Sequence, residues 1–179
     1  MPELPEVESI RRGLETLLAD KPVIRRFEFA RKDLRDPMPI RKLKSLEGQS
    51  VQAVLRRSKY LFFAAETGGI LSHLGMTGSW RTADETRVPP GQHDHVRIEF
   101  ENGLSLIYRD PRRFGVLDWA KDLISAHPRL DQLGPEPLEP EFSPDYFRMK
   151  TRSHHSPIKN ILMNAKVVVG VGNIYASEI

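Results

Sequence analysis

Residues 96–108 read VRIEFENGLSLIY, and this stretch decides the fold class that the sequence predicts. Two strand-like runs, 96–100 and 104–108, lie on either side of an Asn102-Gly103 pair. Asn-Gly is a strong signal for a tight β-hairpin, because both residues tolerate the positive φ that the turn requires. The stretch therefore predicts two antiparallel strands joined by a tight turn.

Strand-like runs recur on both sides of this hairpin. They occupy residues 24–29, 51–55, 60–64, 70–74 and 115–119. Turn residues separate them at 67–69 and 89–91. Short strands with tight turns predict an antiparallel β-sandwich or barrel. Residues 5–18 carry Val7 and Leu14 at helical spacing, so a flanking helix would cover one side and make the fold class α+β.

The chain changes character after the last predicted strand. Residues 127–143 are rich in proline and acidic residues, which is typical of a linker. We therefore predict that residues 1–126 form the first domain and that residues 144–179 form a second, helical one.

Helix signals support this second domain. Ser143 and Ser156 each precede a proline, the pattern of a capped helix start. A last helix would begin at Asn173 and stop at Ile179 without a C-cap. We therefore expect the polypeptide to be truncated.

Composition limits the class of protein. Of the 179 residues, 39% are hydrophobic, which is enough for a packed core. The chain has no cysteine, which rules out disulfides and thiolate metal sites within it and fits a reducing compartment. It lacks a signal-peptide pattern at its start and any apolar run of membrane-spanning length. These features predict a cytoplasmic protein without a membrane partner.

Charge is unevenly distributed along the chain, although the formal net charge is only +3. Residues 21–59 contain twelve basic and four acidic side chains, and residues 148–166 contain five basic and no acidic ones. The connecting residues 121–145 carry two bases and six acids. Two basic blocks around an acidic connector indicate a surface for a polyanion, although solvated strand edges and loops would give the same pattern.

The N-terminus carries a chemical signal of its own. Methionine is usually removed before a small second residue, which would leave Pro2 with a free secondary amine. An α-amino group titrates far below lysine, so a useful fraction of it is unprotonated near neutral pH. Such an amine attacks a sugar aldehyde carbon to form an iminium, and the adjacent Glu3 could act as acid or base. Met-Pro is also simply a common start, and tautomerases with an N-terminal proline base are an unrelated alternative, although those are short βαβ chains.

Four segments occur together and in order along the chain. They are PELPEVE at residues 2–8, SHLGMTG at 72–78, DPRRFG at 110–115 and VGVGNIYASE at 169–178. In sequence and spacing they resemble the bacterial formamidopyrimidine-DNA glycosylases from end to end of this chain. The opening PELPE resembles the branch that acts on oxidised purines, whereas the related endonuclease VIII branch tends to open with PEGPE. The resemblance implies a base-excision repair enzyme whose partner is double-stranded DNA with oxidised purines or abasic sites.

The resemblance also implies a chemistry. The damaged base leaves the stack, Pro2 attacks C1′ of the deoxyribose and displaces the base, and the iminium drives β,δ-elimination of the two phosphates. Glu3 protonates or holds the sugar ring oxygen, Lys59 contacts the phosphate beside the lesion, and Glu6 matches an acid near the active site. Without the resemblance, Lys59 would be interpreted as an ordinary lysine at a strand end.

Further positions match the DNA-contacting residues of the family. Met76, Arg112 and Phe114 match the side chains that fill the gap left by a flipped nucleotide, a role that suits apolar wedges and a hydrogen-bonding guanidinium. The alternative is that Met76 and Phe114 are core residues and Arg112 is a surface charge, although the turn residues beside them favour loop tips. The matches to phosphate-contacting positions are His73, Lys159 and Asn173. Asn173 also lies at a predicted helix start, where free backbone amides favour phosphate.

The match ends before the family's pattern is complete. Residues 144–179 resemble only the start of a helix–two-turns–helix module, and the family's four-cysteine zinc finger has no counterpart here. We therefore expect no metal or other cofactor in this chain, zinc being expected only in full-length members, and weaker DNA binding. The parent protein would be a monomer. Apolar residues of the partial module would lack partners and leave self-association open for this chain: Ile161, Leu162, Val167, Val168 and Ile174.

Two hypotheses on function follow from the sequence. The first is a glycosylase and abasic-site lyase, whose activity the truncation could remove. The second is a non-catalytic fragment of the same fold that binds damaged DNA, because a retained Met1 would turn the Pro2 nitrogen into an amide.

Overall fold

The computed structural model describes residues 1–84, 91–123, 127–152 and 155–179. Its first part is a sandwich of two four-stranded antiparallel sheets preceded by a helix, and short helices follow in its last part. The predicted α+β fold with an antiparallel sandwich is confirmed. The barrel alternative is wrong, because the strands divide into two separate sheets.

The elements are given in chain order. They are α1 (Leu4–Leu17), β1 (Ile24–Phe29), α2 (Ile40–Lys44), β2 (Ala53–Arg57), β3 (Tyr60–Ala65), β4 (Gly68–His73), β5 (Ser79–Asp84), β6 (Asp94–Phe100), β7 (Leu104–Arg109), β8 (Val116–Ala120), α3 (Pro144–Thr151), α4 (Ile158–Leu162) and α5 (Tyr175–Glu178). The spatial order of the first sheet is β1-β6-β7-β5, and that of the second is β2-β3-β4-β8. The second sheet is thus a meander of three strands with β8 added beside β4.

The central hairpin differs in detail from the prediction. β6 ends at Phe100 and β7 begins at Leu104, so three residues separate the paired strands. Gly103 has a φ of 85°, whereas Asn102 lies outside the positive-φ region that a type I′ turn requires of both residues. The Asn102 side-chain oxygen instead accepts a hydrogen bond from the Leu104 N–H at 3.1 Å. This geometry suits the three-residue hairpin loop, in which glycine takes the left-handed position.

Helix α1 closes one side of the sandwich, as its apolar spacing predicts. It begins after Glu3, has Pro5 in its first turn and buries Val7 and Leu14. These side chains join a core that both sheets share, whose largest fully buried members include Ile24, Phe63, Ile70, Ile98, Phe100 and Tyr108. Burial of each such side chain stabilises the fold by about 1.5–3 kcal/mol. The sandwich therefore supplies a rigid base for the loops at its ends.

Two elements of the sandwich were not predicted. β5 has the sequence SWRTAD and lies beside β7 at the edge of the first sheet. Trp80 is its one large apolar residue, so the alternation that indicates a strand is weak. α2 contains only five residues, which is too few for a helical period to show. The predicted turn at 89–91 and the predicted boundary at 126 fall at least partly outside the described residues.

Residues 127–142 pack onto the sandwich. Leu130 is buried, and the Arg129 guanidinium donates to Asp36 at 2.8 Å and to Asp118 at 3.3 Å. The segment is therefore held by apolar and ionic contacts along the second sheet. Its description as a linker, and the domain boundaries on either side of it, stay predictions.

The helical segment is better packed than the sequence indicates. The Ser143 hydroxyl accepts a hydrogen bond from the Tyr146 N–H at 3.1 Å and caps α3 as predicted, whereas the predicted Ser156 cap is wrong because α4 starts after Pro157 without a side-chain cap. Four of the five apolar residues expected to lack partners are buried: Ile161, Leu162, Val167 and Val168. Only Ile174 is exposed among the five, at 62%. That expectation is wrong for the four, because the segment folds back onto residues 134–146 and onto the N-terminus.

Within the described ranges, no helix combines the length and the apolar character that crossing a bilayer demands.

Candidate functional site

The carboxylate of Glu3 lies in a group of backbone amides, which we call the Glu3 cradle. It accepts hydrogen bonds from the N–H groups of Gly172 at 2.7 Å, Ile174 at 2.8 Å and Tyr175 at 3.3 Å. Burial alone would raise the pKa of Glu3, but these three hydrogen bonds and the charge of Lys59 outweigh burial and lower the pKa. Glu3 is therefore an ionised carboxylate at neutral pH.

Two glycines make the Glu3 cradle possible. A Cβ atom on Gly172 would lie 2.5 Å from Cδ of Glu3. Gly170 has a φ of 83°, and a Cβ atom there would lie 2.5 Å from Cδ1 of Leu4. The Gly170 carbonyl also accepts a hydrogen bond from the Leu4 N–H at 3.0 Å. Glycine at both positions lets this segment approach the N-terminus more closely than any side chain would permit.

Lys59 and Glu6 lie beside the same cradle. The Glu6 carboxylate accepts a hydrogen bond from the Glu3 N–H at 2.9 Å, which caps the first turn of α1. Lys59 lies in the turn between β2 and β3, and its Nζ donates to the Val171 carbonyl at 3.0 Å. Burial lowers the pKa of Lys59, although the charges of Glu3 and Glu6 oppose that shift. The structure thus brings Lys59 and Glu6 to the cradle of Glu3, the residue that follows the half-buried Pro2.

Asn173 and Lys159 are linked through one hydroxyl group. Nζ of Lys159 donates to the Ser177 hydroxyl at 2.7 Å, and that hydroxyl donates to the Asn173 carbonyl at 2.8 Å. The side chain of Asn173 is exposed. The expectation that free amides at this helix start favour phosphate is wrong, because those amides already bind the Glu3 carboxylate. A phosphate contact here would have to use the two side chains.

His73 ends β4 and is a neutral ring. It lies opposite Tyr60 of β3, with the two ring centroids 4.8 Å apart. Nδ1 of His73 accepts a hydrogen bond from the Gly75 N–H at 3.0 Å, so Nε2 carries the proton. Burial, followed by the charge of Lys59, lowers the pKa of His73 to about 4. At neutral pH the ring is therefore a hydrogen-bond donor without a charge.

Met76, Arg112 and Phe114 come together on two neighbouring loops, and we call these three side chains the wedge. Met76 is 45% exposed and Phe114 is 43% exposed, so the interpretation of both as core residues is wrong. The Arg112 guanidinium lies over the Phe114 ring, 4.6 Å from its centroid, which favours a cation–π contact. The wedge thus presents apolar and aromatic surface to solvent.

A buried carboxylate joins the two wedge loops. Asp110 is fully buried and accepts hydrogen bonds from the Thr77 hydroxyl and from the Gly115 N–H, the latter at 2.8 Å. Gly75 has a φ of 59°, and a Cβ atom there would lie 2.4 Å from the Phe114 carbonyl carbon. The loops therefore touch backbone to backbone, and Asp110 fixes their relative position.

Much of the first basic block, residues 21–59, is neutralised by acids. Arg56 pairs with Glu8 at 3.0 Å and with Glu136 at 2.7 Å, and Arg57 pairs with Glu136 at 2.9 Å. Other members pair similarly: Arg25 and Arg26 with Glu99, and Arg31 with Asp33. The block is therefore not a uniform surface for a polyanion, because several of its charges hold parts of the protein together.

Sequence reasoning missed Asp110 and Glu136 as anchoring acids. Asp110 stands in the DPRRFG segment, so its motif was visible while its role was not. Glu136 lies in the segment interpreted as an acidic linker. A carboxylate between prolines, Pro135 and Pro137, is the signal that could have marked it as fixed.

Comparison with known proteins matches both parts of the chain. The family described as "Formamidopyrimidine-DNA glycosylase N-terminal domain" matches residues 1–117, and the "Formamidopyrimidine-DNA glycosylase H2TH domain" matches residues 133–179. An antiparallel sandwich followed by a helix–two-turns–helix segment is thus the architecture of one class of DNA glycosylases.

Similar proteins narrow the class to one family. The formamidopyrimidine-DNA glycosylase of Bdellovibrio bacteriovorus is 52% identical over 180 residues, covering 99% of this chain and 65% of the relative. That of Geobacter metallireducens is 48% identical over 178 residues, covering 99% and 66%. The crystal structure of Lactococcus lactis Fpg (MutM) with DNA that contains an oxidised pyrimidine superposes with a TM-score of 0.88 at 35% identity, covering 99% and 66%. The chain belongs to the formamidopyrimidine-DNA glycosylase family.

The chain spans about two thirds of the length of these relatives. Because its sequence contains no cysteine, the four-cysteine zinc site that the resemblance implies for full-length members has no ligands in this chain.

Proposed function

We propose that this chain carries the catalytic centre and part of the DNA-binding surface of a base-excision repair glycosylase and abasic-site lyase. Its substrate would be double-stranded DNA that contains oxidised purines, such as 8-oxoguanine or formamidopyrimidines, or abasic sites. The observation that supports this most directly is the meeting of Glu3, Lys59 and residues 170–175 around the N-terminus.

Solved structures of similar proteins agree with this substrate class. Complexes of Lactococcus lactis Fpg hold DNA with N7-benzyl-Fapy-dG and DNA with an abasic site. A MutM complex holds DNA with carbocyclic 8-oxo-G. The similarity extends over 98–99% of this chain.

The proposed nucleophile is the amine of Pro2 after removal of Met1. Its nitrogen forms a bond to C1′ as the glycosidic bond breaks, and the base leaves with the bonding electron pair and takes up a proton. The amine gives up its proton when it bonds to C1′. The C1′–O4′ bond then breaks, O4′ takes up a proton from solvent, and a cationic iminium forms between Pro2 and the sugar. This electron sink permits loss of the 3′ phosphate and then the 5′ phosphate, each with a proton removed from the sugar.

Glu3 supports this chemistry mainly by its charge. Its carboxylate is held by three amides and its pKa is lowered, so it is a weak proton source at neutral pH. A fixed negative charge beside the sugar stabilises the positive charge that develops on the ring and on the iminium. Lys59 would meet the phosphate beside the lesion, since its ammonium lies next to the cradle.

The wedge and three polar side chains would hold the distorted duplex. A flipped nucleotide leaves a gap that Met76 and Phe114 can fill, and Arg112 can hydrogen-bond the widowed base. His73, Lys159 and Asn173 are proposed to contact phosphates. The exposure of the wedge supports this assignment, because these side chains are available without rearrangement of the core.

A trapping experiment tests the proposal. The chain is incubated with a duplex that contains 8-oxoguanine opposite cytosine, borohydride is added, and adducts are identified by gel and intact mass. We expect a covalent adduct with protein that has lost Met1. The adduct should be absent with protein that retains Met1, whose Pro2 nitrogen is an amide, and present with the matched control Pro5→Ala.

Absence of an adduct would distinguish the catalytic hypothesis from the hypothesis of a non-catalytic DNA-binding fragment. If protein without Met1 binds the duplex but forms no adduct, the chain is a non-catalytic fragment that binds damaged DNA. If it binds neither damaged nor undamaged duplex, the proposal of a DNA partner is wrong as well. We further propose that the full-length parent is a monomer, with self-association open for this chain. We also propose a cytoplasmic location, which the lack of cysteine supports.

A further inference from the structure

Residues 31–38 form a closely held loop beside the wedge. Leu34 and Met38 are buried, and the Leu34 N–H donates to the Asp36 carbonyl at 3.0 Å. These contacts fix the backbone of the loop. Arg35, between the buried anchors, has an exposed side chain.

Arg35 lies between the wedge and His73. Its N–H donates to the Gly115 carbonyl at 3.4 Å, which places it beside the residue that follows Phe114. A surface recess of about 430 Å³ is lined by the loop together with Arg112 and Phe114. On its other side, the charge of Arg35 acts on the His73 ring, where it adds to burial and to Lys59 in lowering the pKa.

The acids of the loop do not neutralise Arg35. Asp33 pairs with Arg31, and Asp36 pairs with Arg129 at 2.8 Å. Throughout the part of the chain that the structure describes, no hydrogen bond or ion pair engages the Arg35 guanidinium. An exposed guanidinium on a fixed loop is well suited to hold a phosphate with two parallel hydrogen bonds.

We propose that Arg35 binds a backbone phosphate of the DNA duplex, next to the phosphate that His73 would contact. This rests on the DNA-binding function proposed above and extends it. His73 offers one N–H without a charge, so it orients a phosphate but attracts it weakly. Arg35 supplies the positive charge at this place, and the two together would hold the strand against which the wedge enters the helix.

Salt dependence of DNA binding tests Arg35 directly. Affinity is measured over a range of salt concentrations for a duplex with a tetrahydrofuran abasic-site analogue and for the same duplex without damage. We expect Arg35→Gln to reduce the slope of log affinity against log salt by about 0.9, the value for one lost phosphate contact on B-DNA. Between about 50 and 200 mM salt, the variant then loses about 3.5-fold less affinity than the parent.

Controls separate a specific contact from a loss of charge. Arg26→Ala removes the same charge from the same basic block, but Arg26 is paired with Glu99 at 2.7 Å, so its slope should equal that of the parent. Arg35→Lys keeps the charge and should keep the slope. The reduction should be equal for damaged and undamaged duplex, because phosphate contacts carry no sequence information. A thermal melt verifies that each variant is folded.

Three outcomes would overturn the assignment. The slope of Arg35→Gln could equal that of the parent, or Arg26→Ala could lower the slope as much as Arg35→Gln does. In both cases DNA binding by the parent would leave the proposed function standing. If the parent itself binds no duplex, the proposed function fails and the role of Arg35 fails with it.

Discussion

The Glu3 cradle and the wedge are built in opposite ways. In the cradle, a buried carboxylate meets three amide donors, and its neighbour Lys59 is held by a carbonyl. In the wedge, Met76 and Phe114 leave more than two fifths of their surface in water. The polar groups of the cradle are hydrogen-bonded in the free protein, whereas the wedge exposes apolar surface to water.

The difference follows from what each region is proposed to meet. A charge that stabilises a transient cation acts best when it is fixed in advance, because reorientation during the reaction would cost free energy. A side chain that replaces a flipped base must be free until the helix opens. The buried Asp110 holds the two wedge loops in place through its hydrogen bonds. The wedge therefore combines exposed side chains at its tip with a buried anchor, Asp110.

The largest expected effect is on the rate of base excision, from a substitution in the Glu3 cradle. Glu3→Gln replaces one acceptor oxygen by an NH₂ group that faces amide donors, and it removes the negative charge beside the sugar. We expect excision of 8-oxoguanine under single-turnover conditions to slow by about 10²- to 10⁴-fold. The matched control is Glu15→Gln on α1, whose carboxylate is 54% exposed and pairs with Arg11. A loss below about tenfold for Glu3→Gln would contradict the role of its charge.

Substitutions at the anchor of the wedge, Asp110, and at its tip, Phe114, should differ in their effect on stability. Asp110→Ala leaves the Gly115 N–H and the Thr77 hydroxyl without their acceptor, so we expect the free energy of unfolding to fall by about 2–4 kcal/mol. Phe114→Ala should change it by no more than about 0.5 kcal/mol, because the ring is exposed. Urea unfolding measures both values. Equal losses would show that the wedge has no separate anchor.

The smallest effect concerns the pH dependence of stability at the edge of the wedge. The pKa of His73 falls from 6.5 to about 4, first because of burial, so between these values the unfolded state binds more protons than the folded state. The neutral ring thus contributes stability that is complete above about pH 6.5 and is lost as the pH falls toward about 4. We expect about 1–2 kcal/mol, allowing for partial exposure of the ring.

His73→Gln isolates this contribution. The difference in unfolding free energy between parent and variant should shrink as the pH is lowered from about 7 to about 4.5. Substitution of the exposed His155 by Gln provides the matched control. If the His73 and His155 variants follow the same pH profile, His73 is not held neutral by the fold.

Local sequence patterns predicted most of the secondary structure of the sandwich. Seven of its strands and α1 could be placed because alternation, helical spacing and turn residues act over a few positions. β5 was not predicted because a single tryptophan does not form an alternating apolar pattern. The family resemblance named Glu3 and Lys59, yet the amides that hold Glu3 lie 169 to 172 positions away along the chain. No local pattern reports such a contact.

Counting charges along the sequence did not predict which arginines are free to bind a polyanion, for a similar reason. A net charge records how many arginines a segment has, but it does not record their partners. Arg56 and Arg57 meet Glu136 about 80 positions further along the chain, so they hold the fold together. Arg35 belongs to the same block and has no such partner among the residues that the structure describes. The sequence treats the three alike, and only the folded chain separates them.

The Glu3 cradle also sets an order of events during synthesis. Glu3 leaves the ribosome well before its amide donors at Gly172 and Tyr175, which lie 169 and 172 positions further along the chain. Until then Glu3 has none of the three amide donors that hold its carboxylate in the folded chain. If Met1 is removed at this stage, the chain acquires its proposed reactive amine before it can assemble the fixed charge that would make the amine useful.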